Sequence, residues 1–175
     1  NSAYDSCYES SPATNRYSNA QYVTPGLSMR LATTTTPGGL GACSDNISST
    51  TVRYDRFYIR FEDTTTLDST SNFTLMSWNN VGTGDTVAGL RLMTTAGNDN
   101  KLQIRDQVTA SGTTTALAPN TWHRIEVAIT GDAMYLRTFE GANVNGTIPT
   151  QTVTDTALTN SPVDEFTNVN IGMNS

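Results

Sequence analysis

The chain has 175 residues, the size of one domain, and its 10 Lys+Arg against 16 Asp+Glu give a formal charge of −6. That balance excludes the net basic face on which a nucleic-acid binder depends, and no apolar run reaches the roughly 18 residues of a membrane span. Thr, Ser and Asn make up about a third of the residues, with one Lys, Lys101, and one His, His123. Thr is stiff at χ1 and packs well on a pleated surface, so this composition favours strands; one His and two distant Cys exclude a His/Cys metal cluster. The first residue is Asn1 rather than Met, which points either to a removed signal or to an excised domain.

In chain order, residues 1–16 are expected to be a loosely structured lead-in. Period-2 alternation then recurs. Leu27, Met29 and Leu31 alternate with Ser28 and Arg30. Phe57, Ile59 and Phe61 alternate with Tyr58, Arg60 and Glu62. A mixed apolar run covers Phe73–Trp78. Leu90 and Leu92 flank Arg91, Leu102 and Ile104 flank Gln103, and Ile125, Val127 and Ile129 flank Glu126 and Ala128. Met134 and Leu136 alternate with Tyr135 and Arg137, and Val169, Ile171 and Met173 with Asn168, Asn170 and Gly172. Turn signals separate these runs at Pro37–Gly39, Thr83–Asp85, Ala96–Asn100, Thr130–Asp132 and Gly141–Gly146. Short strands at such spacing predict an all-β fold: an antiparallel two-sheet β-sandwich or jelly roll, each sheet with one apolar and one solvated face.

Cys7 and Cys43 are the only cysteines. They are either two separate buried thiols or a disulfide tying the N-terminal segment to the loop after the first strand. Their polar, Gly/Ser-rich neighbours suit a core thiol poorly and favour the disulfide. A disulfide in turn implies an oxidising, extracellular compartment.

Four segments carry a resemblance. TPGLSMRLATT at Thr24–Thr34 and RYDRFYIRFE at Arg53–Glu62 resemble successive strands of concanavalin A-like and LamG-like jelly rolls of secreted bacterial or phage surface proteins. APNTWHRIEVAITGDAMYLRTFEG at Ala118–Gly141 resembles the family's central hairpin, and VDEFTNVNIGMNS at Val163–Ser175 the strand before its closing one. The resemblance covers roughly residues 17–175 and implies a single jelly-roll domain over 1–175, with the family's closing strand beyond Ser175 or absent. Its motifs mark a fold rather than a chemistry. Glycoside hydrolases of this fold show a Glu-x-Asp-x-x-Glu strand, and this chain has none. Similar polyuronate lyases use a Tyr or His base beside Arg and Gln or Asn.

The residues themselves offer little catalysis. His123 shares the parity of Ile125 and Val127, so it is expected in the core. Among Glu62, Asp63, Glu126, Glu140, Asp164 and Glu165, only Glu126 lies mid-strand and outward, where an ion pair is its expected role. Trp122 is expected to pack at the core edge. If the strands from Phe57 onward form one meander, Arg60, Arg91, Arg105, Arg124 and Arg137 line one outward face, interleaved with Tyr58, Gln103, Glu126 and Tyr135. Trp78, at the end of its run, either packs, the favoured reading, or stands at the groove rim. Arg forks grip carboxylate or sulfate, and Tyr rings stack on sugars. These ten residues form the candidate groove for a polysaccharide or glycan; the alternative, which the residues favour, is an ordinary solvated sheet face with Arg–Glu cross-strand pairs. No cofactor is indicated, although a structural calcium could sit on Asn98, Asp99 and Asn100 or on Asp63 and Asp68.

The expectation is therefore a non-catalytic extracellular module, carbohydrate-binding or adhesive on a cell or virion surface. It would belong to a larger multidomain protein or assembly, with no nucleic-acid partner and no membrane insertion. The alternatives are a polyuronate lyase-like enzyme, with Tyr135 as base and Arg137 or Arg105 neutralising a uronate, and a structural assembly module.

Overall fold

A computed structural model describes residues 6–9, 14–18, 28–32, 41–61, 72–80, 82–83, 85–95, 97–106, 110–131, 133–156, 158 and 166–174, the first three segments as backbone alone. The strands are β1 (Ser6–Glu9), β2 (Thr14–Ser18), β3 (Ser28–Ala32), β4 (Gly41–Thr50), β5 (Val52–Ile59), β6 (Phe73–Asn80), β7 (Asp85–Met93), β8 (Lys101–Asp106), β9 (Ala110–Thr113), β10 (His123–Thr130), β11 (Ala133–Glu140), β12 (Gln151–Asp155) and β13 (Phe166–Asn174). Every described pairing is antiparallel. Helix among the described residues is one 3-10 turn, Gly141–Asn143, and no described helix is long and apolar enough to cross a membrane. The chain is an all-β, antiparallel two-sheet sandwich.

One sheet has seven strands in the order β1-β4-β13-β6-β7-β8-β9, the other four in the order β12-β11-β10-β5; β2 and β3 form a separate pair. The inward residues of both sheets make one core. Met76, Leu90, Leu102 and Ile104 come from the larger sheet and Ile125, Val127, Ile129, Met134 and Leu136 from the smaller, each no more than 2% exposed. Burial along β10 and β11 follows the predicted parity: Val127, Ile129, Met134 and Leu136 are buried, while Glu126, Ala128 and Tyr135 are only partly so.

Trp78 spans the two layers. Its indole is fully buried, and Nε1 donates to Asp55 Oδ2 at 2.9 Å, on the inward side of β5. Arg53 Nε donates to both oxygens of that carboxylate at 2.9 Å. The inward carboxylate is thereby hydrogen-bonded and paired, the condition for keeping a charge away from water. At the opposite side, β9 of the large sheet approaches β12 of the small one. A Cβ at Gly112 would overlap Val153 Cγ1, so the seam takes a residue without a side chain. Gln151 Oε1 accepts from Thr115 N at 2.8 Å and Thr115 Oγ1 at 2.9 Å, fastening the same edge.

One expectation needs correction. The strands from Phe57 do not form one meander: β5 joins β10 in the small sheet, β6 to β9 run through the large sheet, and β10 to β12 return to the small one. Alternation states whether a residue faces in or out, but not which sheet carries it. Within the expected lead-in of residues 1–16, β1 pairs with β4, and β2, which starts there, with β3. The strand that carries the alternation of Phe57–Glu62 runs from Val52 to Ile59. The last described strand, β13, lies inside the large sheet between β4 and β6. Leu27, Pro37–Gly39 and Val163–Glu165 lie outside the described residues.

Candidate functional site

The outward face of the four-stranded sheet is built in register rows across the strands. Tyr54 of β5 and Tyr135 of β11 both pair with Ala128 of β10, so a tyrosine stands on each side of a methyl group. In the next row, Arg56, Glu126 and Arg137 are neighbours, continued by Thr152 on β12. The row beyond holds Tyr58, Arg124 and Phe139. A concavity of about 480 Å³ opens over the first two rows. Tyr54, Arg56, Glu126, Ala128, Thr130, Tyr135 and Arg137 line it, with Asp55 and Val127.

The third row is roofed. After β11 the chain turns at Gly141, whose φ of +57° lies in the left-handed region that suits glycine, and runs over the sheet to Thr150. Thr150 N donates to Thr138 O at 2.7 Å and Glu140 N donates to Thr150 Oγ1 at 3.1 Å, closing this loop. Arg124 lies beneath it, its side chain 8% exposed. Arg124 Nη2 donates to Gly146 O at 2.6 Å, and its Cζ sits 3.6 Å from the centre of the Phe139 ring. Tyr58 Oη reaches Asn145 Oδ1 at 3.4 Å. The concavity is thus blocked at this end and open toward the β10–β11 turn.

Charge on this face is unequal. Glu126 Oε1 accepts from Arg56 Nε at 2.9 Å, and Arg56 Nη2 lies 2.8 Å from the same oxygen. Arg124 Nε is 3.2 Å from it, in ion-pair contact without hydrogen-bond alignment. One carboxylate therefore faces two guanidiniums. Arg137 is exposed, and the described residues offer its side chain no hydrogen bond or ion pair.

Of the ten expected groove residues, Tyr58, Arg124, Glu126, Tyr135 and Arg137 share this face, Tyr58 and Arg124 at its roofed end. The other five do not join them. Arg91, Gln103 and Arg105 belong to β7 and β8, on the outer face of the opposite sheet. There the Arg105 stem lies over Gly89, 3.4 Å from where a Cβ would stand, and Gln103 Nε2 reaches Thr113 Oγ1 at 3.4 Å. Arg60 follows β5, and its Nε donates to Asn120 O at 3.1 Å, clamping the loop before β10. Trp78 is in the core, not at a rim. Tyr54, Arg56, Ala128 and Thr130 were not anticipated. Extending the outward series of Tyr58 and Arg60 back from Tyr58 by two and four residues along β5 finds Arg56 and Tyr54; nothing in the sequence singles out Ala128, a small residue between two tyrosines.

His123 is fully buried, as its parity predicts. It stacks on Phe61 with ring centroids 5.6 Å apart, and Nε2 contacts Ala118 O at 2.8 Å. A carbonyl only accepts, so Nε2 carries the proton. The ammonium of Lys101 donates to Gly97 O at 2.9 Å and Asn98 Oδ1 at 3.2 Å, beside one expected calcium locus. Asp63 and Asp68 lie outside the described residues, among which no group of three His, Cys, Asp or Glu gathers. Cys7 and Cys43 stand directly opposite each other in the β1–β4 pair.

Compared with known proteins, the chain matches no protein-family model and none of the curated proteins searched.

Proposed function

We propose that the chain is a non-catalytic, extracellular β-sandwich module of the concanavalin A-like kind that binds a glycan on the outer face of its four-stranded sheet. The observation that carries this reading is the pair Tyr54 and Tyr135 on either side of Ala128, at the floor of the concavity. Two strand spacings separate the tyrosine Cα atoms, about 9.5 Å. One sugar ring fits between aromatic faces at carbon contacts of about 3.5–4 Å on each side. Polar neighbours that fix orientation, Arg56, Thr130 and Arg137, converge on the same concavity.

The non-catalytic reading rests on the acid/base groups. The one imidazole is buried, and Glu126 is held by Arg56 and Arg124. Glycan cleavage needs an acid and a base within reach of one bond; of the two arginines a lyase would pair with Tyr135, Arg105 stands on the other sheet and Arg137 shares its face. The extracellular reading rests on the two cysteines. Residues directly opposite in an antiparallel pair have Cα atoms about 4.5–5.5 Å apart, inside the span of a disulfide, and Cys7 and Cys43 are such a pair.

Screening on immobilised glycans tests the site. The wild-type chain is expected to retain at least one glycan, and Tyr54→Ala with Tyr135→Ala to lose it while melting within a few degrees of wild type, because both rings are on the solvated face. Undiminished retention by the double variant would refute the site.

A further inference from the structure

We propose that the ligand carries an oxyanion on its ring, a carboxylate or a sulfate, and that Arg137 is the residue that reads it. This rests on the glycan-binding reading above and narrows it.

Two tyrosines over a small floor suit several ligands, among them an alkylammonium held by the ring faces. The neighbouring charges decide between them. Arg56, Arg124 and Arg137 face the outer surface with Glu126 as their one carboxylate among the described residues, in a chain of net charge −6. Asp55, which also borders the concavity, turns its carboxylate inward to Arg53 and Trp78. Among the described residues the acids at this point are therefore spent or averted, and the surplus is positive. A cation would meet repulsion here; an anion is attracted.

The three guanidiniums differ in availability. Arg124 is covered by the loop and committed to Gly146 O, and Arg56 is committed to Glu126. Arg137 is exposed and finds no partner among the described residues. It lies two residues from Tyr135 on β11, and side chains two apart on a strand share a face. A ring stacked on Tyr135 thus presents its substituent to a free five-donor fork, the geometry that grips an oxyanion bidentately. Glu126, pinned by Arg56 and Arg124, is kept from pairing with Arg137 in the ligand's place.

Affinity electrophoresis through gels containing polygalacturonate, its methyl-esterified form, or dextran sulfate tests the proposal. Wild-type protein is expected to be retarded by at least one anionic polymer, less so as salt rises, and not by the ester. Arg137→Ala should weaken that retardation by about ten- to a hundredfold, the loss of a charge-assisted hydrogen-bond pair. A thermal melt should be unchanged, since the side chain bonds nothing among the described residues. Polygalacturonate alone identifies carboxylate as the source, dextran sulfate alone sulfate, and both the shared charge. Binding of the ester as tightly as the acid, or loss of binding with Tyr135→Ala but not with Arg137→Ala, overturns the oxyanion and leaves the glycan site standing. Binding to an anionic polymer that neither variant changes overturns both. Failure to bind either anionic polymer overturns the oxyanion proposal, and the glycan screen then decides the site.

Discussion

Trp78→Ala is expected to lower the unfolding free energy by about 3–5 kcal/mol, the range for removing a large buried aromatic. The indole is fully buried between the sheets, among Met76, Ala88 and Val169 of its own core cluster. Its Nε1–H also holds Asp55, whose side chain is 13% exposed. Trp78→Phe separates the two contributions. Most of the packing survives and the hydrogen bond to a charged acceptor is lost, so the cost should be about 1.5–3 kcal/mol. Glycan retention should survive Trp78→Phe, because the indole is not on the solvated face. Denaturant unfolding of the two variants gives both numbers, and a Trp78→Ala cost below about 1 kcal/mol would mean that the indole does not join the layers.

The second large effect is covalent. If Cys7 and Cys43 are bonded across β1 and β4, reduction should cost about 3–4 kcal/mol, since the bond closes a loop of about 35 residues in the unfolded chain. Melting with and without reductant reads this as a drop in midpoint. Thiol alkylation of the unreduced, unfolded chain followed by mass analysis should label neither cysteine. Two labelled thiols would remove both the bond and the argument for an oxidising compartment. Cys43 is 1% exposed on the folded chain, so alkylation of the native state alone would not discriminate.

The sequence shows the layer logic of this fold and conceals its pairing. Ile125, Val127, Met134 and Leu136 announce their face by alternation, and adjacent strands joined by a short turn, such as β10 and β11 around Gly131, follow from that pattern. The partnership of β5 with β10 joins residues about 70 positions apart and brings Arg56 to Glu126; no local signal encodes it. The same blindness put Arg91 and Arg105 in a groove they back away from. Strands β4 and β12 were invisible for a different reason. GACSDNISST and QTVTD lack the apolar alternation of a half-buried strand, and their neighbours in the sheet supply the order. Tyr135, Arg137 and Glu126 were legible as outward residues. The slot was not, because it depends on what Ala128 leaves empty.

The central claim is that the ligand sits on the four-stranded sheet over Ala128, not on the seven-stranded sheet. Backbone amide NMR shifts, followed while the retained glycan is titrated into the protein, test it most directly. The account predicts that the largest changes fall at Tyr54, Arg56, Ala128, Tyr135 and Arg137, with Arg91, Gln103 and Arg105 unmoved. Changes centred on Arg91, Gln103 and Arg105, with the Tyr54–Ala128–Tyr135 row silent, would contradict it.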